Sequence, residues 1–168
     1  MRKYFLTTFI IVTAIFVATV FMPTGLSQIT SNKTRGAIGR IEKSNEEWRR
    51  VLTPQQFNVM RERGTEEPYS GKYNDFKGKG VYTCAGCGLT LFSSATKFDS
   101  GTGWPSFYAP IVANHIGTET DSSTGEQRTE VHCARCGAHL GHVFDDGPRP
   151  TGLRYCMNSV ALKFKGKL

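Results

Sequence analysis

Gly152-Leu153-Arg154-Tyr155-Cys156-Met157-Asn158-Ser159 opens a run that continues through Val160-Ala161-Leu162-Lys163-Phe164 and alternates polar with apolar residues. A period of two is the signature of a β-strand with one buried face. Arg154, Cys156 and Asn158 then share one side of the strand, and Leu153, Tyr155 and Met157 the other. A thiol between a cation and an amide is a candidate reactive centre, because positive charge favours the thiolate, the nucleophilic form. A lone cysteine serves equally as a small buried hydrophobe. This stretch alone does not separate the two readings; the other four cysteines do.

Cys84-Ala85-Gly86-Cys87-Gly88 and Cys133-Ala134-Arg135-Cys136-Gly137 are two copies of one knuckle. The C-x-x-C spacing lets both sulfurs of a pair reach one ion, and the following glycine frees the backbone for the tight turn. Four thiolates suit the tetrahedral preference and borderline softness of zinc. A redox dithiol is the competing reading of either pair. The duplication favours a closed structural Zn2+ site on Cys84, Cys87, Cys133 and Cys136, tying the segment near Val81 to the one near Val131. With four cysteines committed, Cys156 is the one free thiol.

The chain has 168 residues, enough for one domain with a real core. Its net charge of +7 is spread along the chain without a basic block, which gives no argument for nucleic acid. Eighteen glycines and seven prolines point to a turn-rich, mainly β fold. Residues 1–27 read as an export signal: Arg2 and Lys3, an uncharged run from Phe5 to Met22, then a small-x-small site at Gly25 and Ser27. The apolar run is long for a cleaved signal, so a membrane tether through residues 5–22 is the alternative. Either way the expected destination is the periplasm, the exterior or a membrane surface. Residues 28–43 read as a linker, and 44–168 as the domain.

Two short helices are predicted at its start. Ser44 with Glu47, and Thr53 with Gln56, form capping boxes, and Pro54 suits a first helical position. Trp48, Val51 and Leu52 supply one apolar side, Phe57 and Met60 another, and Gly64 stops the second helix. From Gly80 onward short β-type runs follow, at Val81–Thr83, Leu89–Phe92 and Glu130–His132, with a polar turn over Thr118–Arg128. The predicted architecture is an antiparallel sheet or open barrel with small helices outside it.

His139 and His142 stand three apart, which puts them on opposite faces of a regular strand. Gly141 between them permits a bulge that could aim both the same way. Each could be a satisfied core or surface histidine, or a proton donor beside the thiol. Trp104 could be core, or an aromatic wall for a small apolar group.

Taken together, Cys-x-x-Cys-Gly at 84–88, Lys97-Phe98-Asp99-Ser100-Gly101, Gly103-Trp104-Pro105-Ser106-Phe107, Ala138 to Phe144 and Gly152 to Ser159 resemble methionine sulfoxide reductase B. The resemblance runs in order from about Trp48 to Phe164. It implies two twisted antiparallel sheets and reduction of the R epimer of methionine sulfoxide, mostly in oxidised proteins. It implies Cys156 as nucleophile, His139, His142 and Asn158 in the catalytic pocket, Arg154 assisting the thiolate, and Trp104 holding the substrate methyl. The four knuckle cysteines carry the zinc that some members have. Many members place a resolving cysteine where this chain has Thr102, so an external reductant, thioredoxin-like or a small thiol, is expected to recycle Cys156. A monomer is expected. The alternative from a different class, a zinc-ribbon interaction module, has no use for a thiol flanked by Arg154 and Asn158.

Overall fold

A computed structural model describes residues 38–166, so the segment read as a signal or tether and most of the expected linker lie outside the described residues. Residues 38–43 precede the first helix without regular secondary structure, with Ile38 and Ile41 against the core and the Ile41 amide donating to the Arg135 carbonyl at 2.8 Å.

Helices α1 (Asn45–Val51) and α2 (Pro54–Glu62) begin where their caps dictate. Ser44 and Glu47 exchange side-chain and backbone hydrogen bonds, as do Thr53 and Gln56, so both predicted capping boxes form. Trp48, Leu52, Phe57 and Met60 are buried, but Val51 faces solvent. The stop of α2 falls one residue before the predicted glycine. Arg63 takes the left-handed conformation (φ 60°), and the Gly64 amide closes the turn on the Asn58 carbonyl.

Nine strands follow: β1 (Gly80–Cys84), β2 (Thr90–Ser93), β3 (Lys97–Phe98), β4 (Ser106–Phe107), β5 (Ile116–Asp121), β6 (Arg128–Cys133), β7 (His139–Phe144), β8 (Arg154–Met157) and β9 (Leu162–Gly166). They form two antiparallel sheets, one of three strands ordered β2-β1-β9 and one of six ordered β3-β4-β8-β7-β6-β5. The sequence expectation of two antiparallel sheets with small helices outside them holds.

Two local expectations fail. The alternating run from Arg154 to Phe164 is not one strand: β8 ends at Met157, a 3-10 turn spans Ser159–Ala161, and β9 continues in the other sheet. The break is enforced by buried hydrogen bonds. The Glu66 carboxylate accepts from the Ser159 and Val160 amides, which turns the chain out of the first sheet. Alternation survives because both halves are strands; the polar positions do not reveal the turn between them. The expected polar turn over Thr118–Arg128 is shorter, because Thr118–Asp121 pairs with Arg128–Val131 as a hairpin. Its polar residues lie on a largely exposed edge strand, where polarity does not argue against pairing.

The sheets meet through aromatic rings. Phe92 of β2 stacks on Phe107 of β4 at 4.5 Å, Tyr82 of β1 meets Phe107 edge-on at 5.0 Å, and Phe92 contacts Tyr155 of β8 at 5.7 Å. Such pairs add to the area they bury. Burial also pushes the Tyr82 hydroxyl up to about 12. Phe107 sits at the centre of this contact, fully enclosed. Phe107→Ala is therefore expected to lose about 3–5 kcal/mol in chemical denaturation; a loss under about 1 kcal/mol would mean that the aromatic contact does not hold the sheets together.

Candidate active site and metal-ligating cluster

Each knuckle is the turn of a hairpin. In the first, the Gly88 amide donates to the Cys84 carbonyl and the Cys84 amide to Leu89; in the second, Gly137 donates to Cys133 and Cys133 to Ala138. Gly88 and Gly137 both have positive φ, 73° and 66°, which the turn requires. One hairpin joins β1 to β2 and the other β6 to β7, so the knuckles belong to different sheets. Their four sulfurs lie within 4.8 Å of one another, with Cys84 to Cys136 at 3.7 Å and Cys87 to Cys133 at 3.5 Å. An ideal tetrahedron with metal–sulfur bonds of about 2.3 Å separates its sulfurs by about 3.8 Å. All five cysteines are free thiols. The donor set and spacing therefore fit one tetrahedral, sulfur-loving cation that clamps the sheets. Trp48 and Met60 pack against Gly86, and Arg61 donates to the Cys136 carbonyl at 3.0 Å, so the helices brace both knuckles.

Cys156 lies on β8 in the middle of the six-stranded sheet, directly opposite Ser106 on one side and His142 on the other. It is half-buried and lines a pocket with Trp104, His142, Phe144, Arg128, Asn158 and Thr65. The bulge expected at the histidines is present. His132 pairs with His139 and Val131 with Gly141, so Leu140 is an extra residue on β7. Opposite the two histidines stand His132 and Glu130, two apart and on one face, and the rings of His139 and His142 approach edge-on to 5.4 Å. Gly141 is required there, since a Cβ would meet the Cys156 carbonyl oxygen at 2.1 Å.

Each histidine has a carboxylate that sequence reading missed. His142 Nε2 is 2.7 Å from Asp121 Oδ2, and Asp121 also accepts from Arg128 and from the hydroxyl and amide of Ser123. The Ser123 bonds first, then His142 and Arg128, hold the Asp121 carboxyl below the ordinary carboxylate range. This carboxylate fixes the tautomer of His142 and leaves Nδ1 for other work. His139 Nδ1 is 2.8 Å from Glu130 Oε1, both side chains 3% exposed, and His139 Nε2 is enclosed without a partner among the described residues. Burial lowers the His139 pKa despite the carboxylate. His139 lies behind His142 rather than in the lining of the pocket.

Arg154 and Asn158 are placed differently from the simple strand reading. Arg154 shares the face of Cys156, but its guanidinium makes a two-pronged bond to Asp146, 2.8 Å on each arm, and stacks over Phe144. Asn158 is enclosed, its amide nitrogen donating to the Leu140 carbonyl and its oxygen accepting from the Glu66 amide. Trp104 is oriented by its ring N–H, which donates to the Glu66 carbonyl at 3.0 Å. Glu66, unremarked in the sequence, thus positions Trp104, Asn158 and the exit from β8.

A chain of hydroxyls completes the surroundings of the thiol. Ser106 Oγ and Ser100 Oγ are 2.8 Å apart, Ser100 Oγ and Thr102 Oγ1 2.8 Å, and Thr102 Oγ1 lies 3.8 Å from Cys156 Sγ. Burial raises the Cys156 pKa; the Thr102 hydroxyl, then the charge of Arg154, pull it back only in part. The charge of Arg154 thus favours the thiolate, but burial outweighs it.

One thiol sharing a pocket with a carboxylate-backed histidine and an aromatic wall, on two antiparallel sheets, is the arrangement a cysteine oxidoreductase needs. A family model described as SelR domain matches residues 52–166, and the chain belongs to that family, methionine sulfoxide reductase B. It is 61% identical over 125 residues to peptide methionine sulfoxide reductase MsrB of Methanosarcina barkeri, covering 74% of this chain and 88% of that protein. The enzyme of the same name from Pseudomonas fluorescens is 63% identical over 123 residues, 73% of this chain and 94% of its own. That of Leptospira interrogans is 54% identical over 125 residues, 74% and 95%.

Two measurements test this geometry. Alkylation of Cys156 by iodoacetamide is expected to keep accelerating above pH 9 and not to level off near the ordinary thiol value of about 8.5, since the raised pKa leaves less thiolate at neutral pH. A plateau below pH 7 would show that Arg154 overrides burial. Cys136→Ser is expected to lose bound metal and melt well below wild type, as ligand loss is folding energy lost; metal analysis alongside calorimetry reads both.

Proposed function

We propose that this protein reduces methionine sulfoxide of the R configuration in oxidised proteins, by thiol chemistry at Cys156. The observation that carries the reading is the position of that thiol in the pocket, between His142 of β7, backed by Asp121 of β5, and the Thr102 hydroxyl on the other side. Trp104 forms a flat apolar wall for the substrate methyl, fixed by its bond to Glu66.

The Cys156 thiol passes its proton to His142 Nδ1 and its sulfur attacks the sulfoxide sulfur, while the resulting imidazolium, held at Nε2 by Asp121, delivers that proton to the sulfoxide oxygen. His139, buried and with a lowered pKa, supports the bulge and ranks second as acid. In net terms one oxygen passes from methionine to cysteine. The methionine sulfur gains two electrons, and Cys156 loses two and becomes a sulfenic acid, the reversible first step of thiol oxidation. The hydroxyl chain ending at Thr102 gives that oxygen a hydrogen-bonding partner. An external thiol then displaces it as water to give a mixed disulfide, and a second thiol opens the disulfide and restores Cys156. No second free thiol stands at position 102, so recycling draws on an outside donor, thioredoxin-like or a small thiol.

Cys84, Cys87, Cys133 and Cys136 would hold zinc, which when bound supplies structural cross-linking with no open position for substrate. Export, or tethering through residues 5–22, would place the domain where oxidised envelope or secreted proteins are its clients.

Cys156→Ser is expected to abolish reduction of R-methionine sulfoxide while leaving metal content and melting temperature near wild type. Retained turnover would put the nucleophile elsewhere. After one turnover without reductant, intact-mass spectra should show wild type heavier by one oxygen. Thr102→Cys should instead show loss of two hydrogens relative to its reduced form, because a sulfur at position 102 falls within bridging reach of Cys156. A wild-type disulfide from Cys156 to a knuckle cysteine would overturn the external-donor scheme.

A further inference from the structure

Tyr69 is the most exposed large apolar side chain among the described residues, 67% accessible, and the only aromatic of that group. It is also one of two non-glycine residues there with positive φ, 64°. An L-residue in that conformation is strained, and the strain persists only where surrounding bonds enforce it. Here they do. The Tyr69 amide donates to the Gly103 carbonyl at 2.8 Å, and its hydroxyl donates to the Gly101 carbonyl at 2.6 Å. Pro68 and the Tyr69 ring lie so close to Gly103 that a Cβ there would meet them at 2.8–2.9 Å.

The loop these bonds grip is the one that carries the chemistry: Thr102 touches the thiol, and Trp104 lines the pocket. The gripping segment is equally part of the site. Thr65 lines the pocket and Glu66 holds the Trp104 ring, so Thr65 to Tyr69 runs from the pocket to its rim. A pocket walled by Trp104, His142, Phe144 and Cys156 takes one side chain. A sulfoxide within a polypeptide must therefore carry its flanking main chain across that rim.

We propose that Tyr69 is a substrate subsite for the polypeptide flanking the oxidised methionine, its ring lying against the peptide plane or an apolar neighbour. The inference rests on the sulfoxide-reducing reading and adds to it the basis for preferring peptide over free amino acid. A ring tethered at both backbone and hydroxyl has little freedom left to lose, so contact with a peptide yields more binding than from a loose side chain.

The test compares an oxidised peptide of at least five residues with free methionine sulfoxide, in wild type, Tyr69→Gly and Tyr69→Phe. Glycine accepts the positive φ and keeps the amide bond to Gly103, and that relief offsets the lost hydroxyl bond to Gly101, so Tyr69→Gly is expected to melt within a few degrees of wild type. Its ratio of kcat/KM for peptide over free substrate should fall about three- to tenfold, through KM. Tyr69→Phe keeps the ring and loses only the bond to Gly101, so its ratio should stay within about twofold of wild type. An unchanged ratio in Tyr69→Gly overturns the subsite, as does an equal loss on both substrates, which would mean that Tyr69 only supports the Trp104 loop. A wild type inactive on both substrates would instead overturn the sulfoxide reading itself.

Discussion

The Glu66 carboxylate, 4% exposed, is the point on which the site depends. Its two oxygens accept the Ser159 and Val160 amides, its own amide donates to Asn158, and its carbonyl receives the Trp104 ring N–H. A buried charge is tolerated only when its hydrogen-bonding capacity is filled, and here backbone amides fill it. Those bonds turn the chain from the six-stranded sheet into the three-stranded one immediately after the strand bearing Cys156. They also set the aromatic wall of the pocket. Removing such a group strands several donors at once, a loss of about 3–5 kcal/mol by analogy with broken buried pairs.

The four-sulfur cluster acts at the other end of the same sheets. Cys133 ends β6, and only Gly137 and Ala138 separate Cys136 from His139, where β7 begins. The second knuckle therefore fixes the start of the strand whose bulge aims both histidines. The Leu140 carbonyl at that bulge accepts both the Asn158 amide and its side chain, which ties the bulge to the end of β8. The four-cysteine cluster and the site geometry are thus mechanically continuous, although none of the four cysteines lines the pocket.

Electrostatically, the site protects its thiol more than it activates it. Burial outweighs the Thr102 hydroxyl and Arg154, whose fork is engaged by Asp146. A thiol kept protonated at rest is poorly reactive toward adventitious electrophiles and oxidants. Across the strand from that thiol, His142 is held through Nε2 by Asp121, which leaves its Nδ1 uncommitted.

Local rules carried much of this structure. The capping boxes at Ser44 and Thr53, the paired knuckles, the β-type runs and the bulge-permitting Gly141 each depend on neighbours in the chain, so the sequence alone determined them. The motif order from Trp48 to Phe164 likewise identified the family before any coordinate did. What the sequence left undetermined is long-range: the turn hidden in the alternating Arg154–Phe164 run, the carboxylates of Glu66, Asp121 and Glu130, and the pairing of Arg154 with Asp146. Acidic residues are mostly solvated surface, so nothing local marks these three as buried partners. Their roles arise only when folding brings Glu66 against Ser159, 93 positions away. How far burial outweighs the charge of Arg154 at the thiol was hidden for the same reason: charge is visible in a sequence, whereas burial is a property of the folded chain.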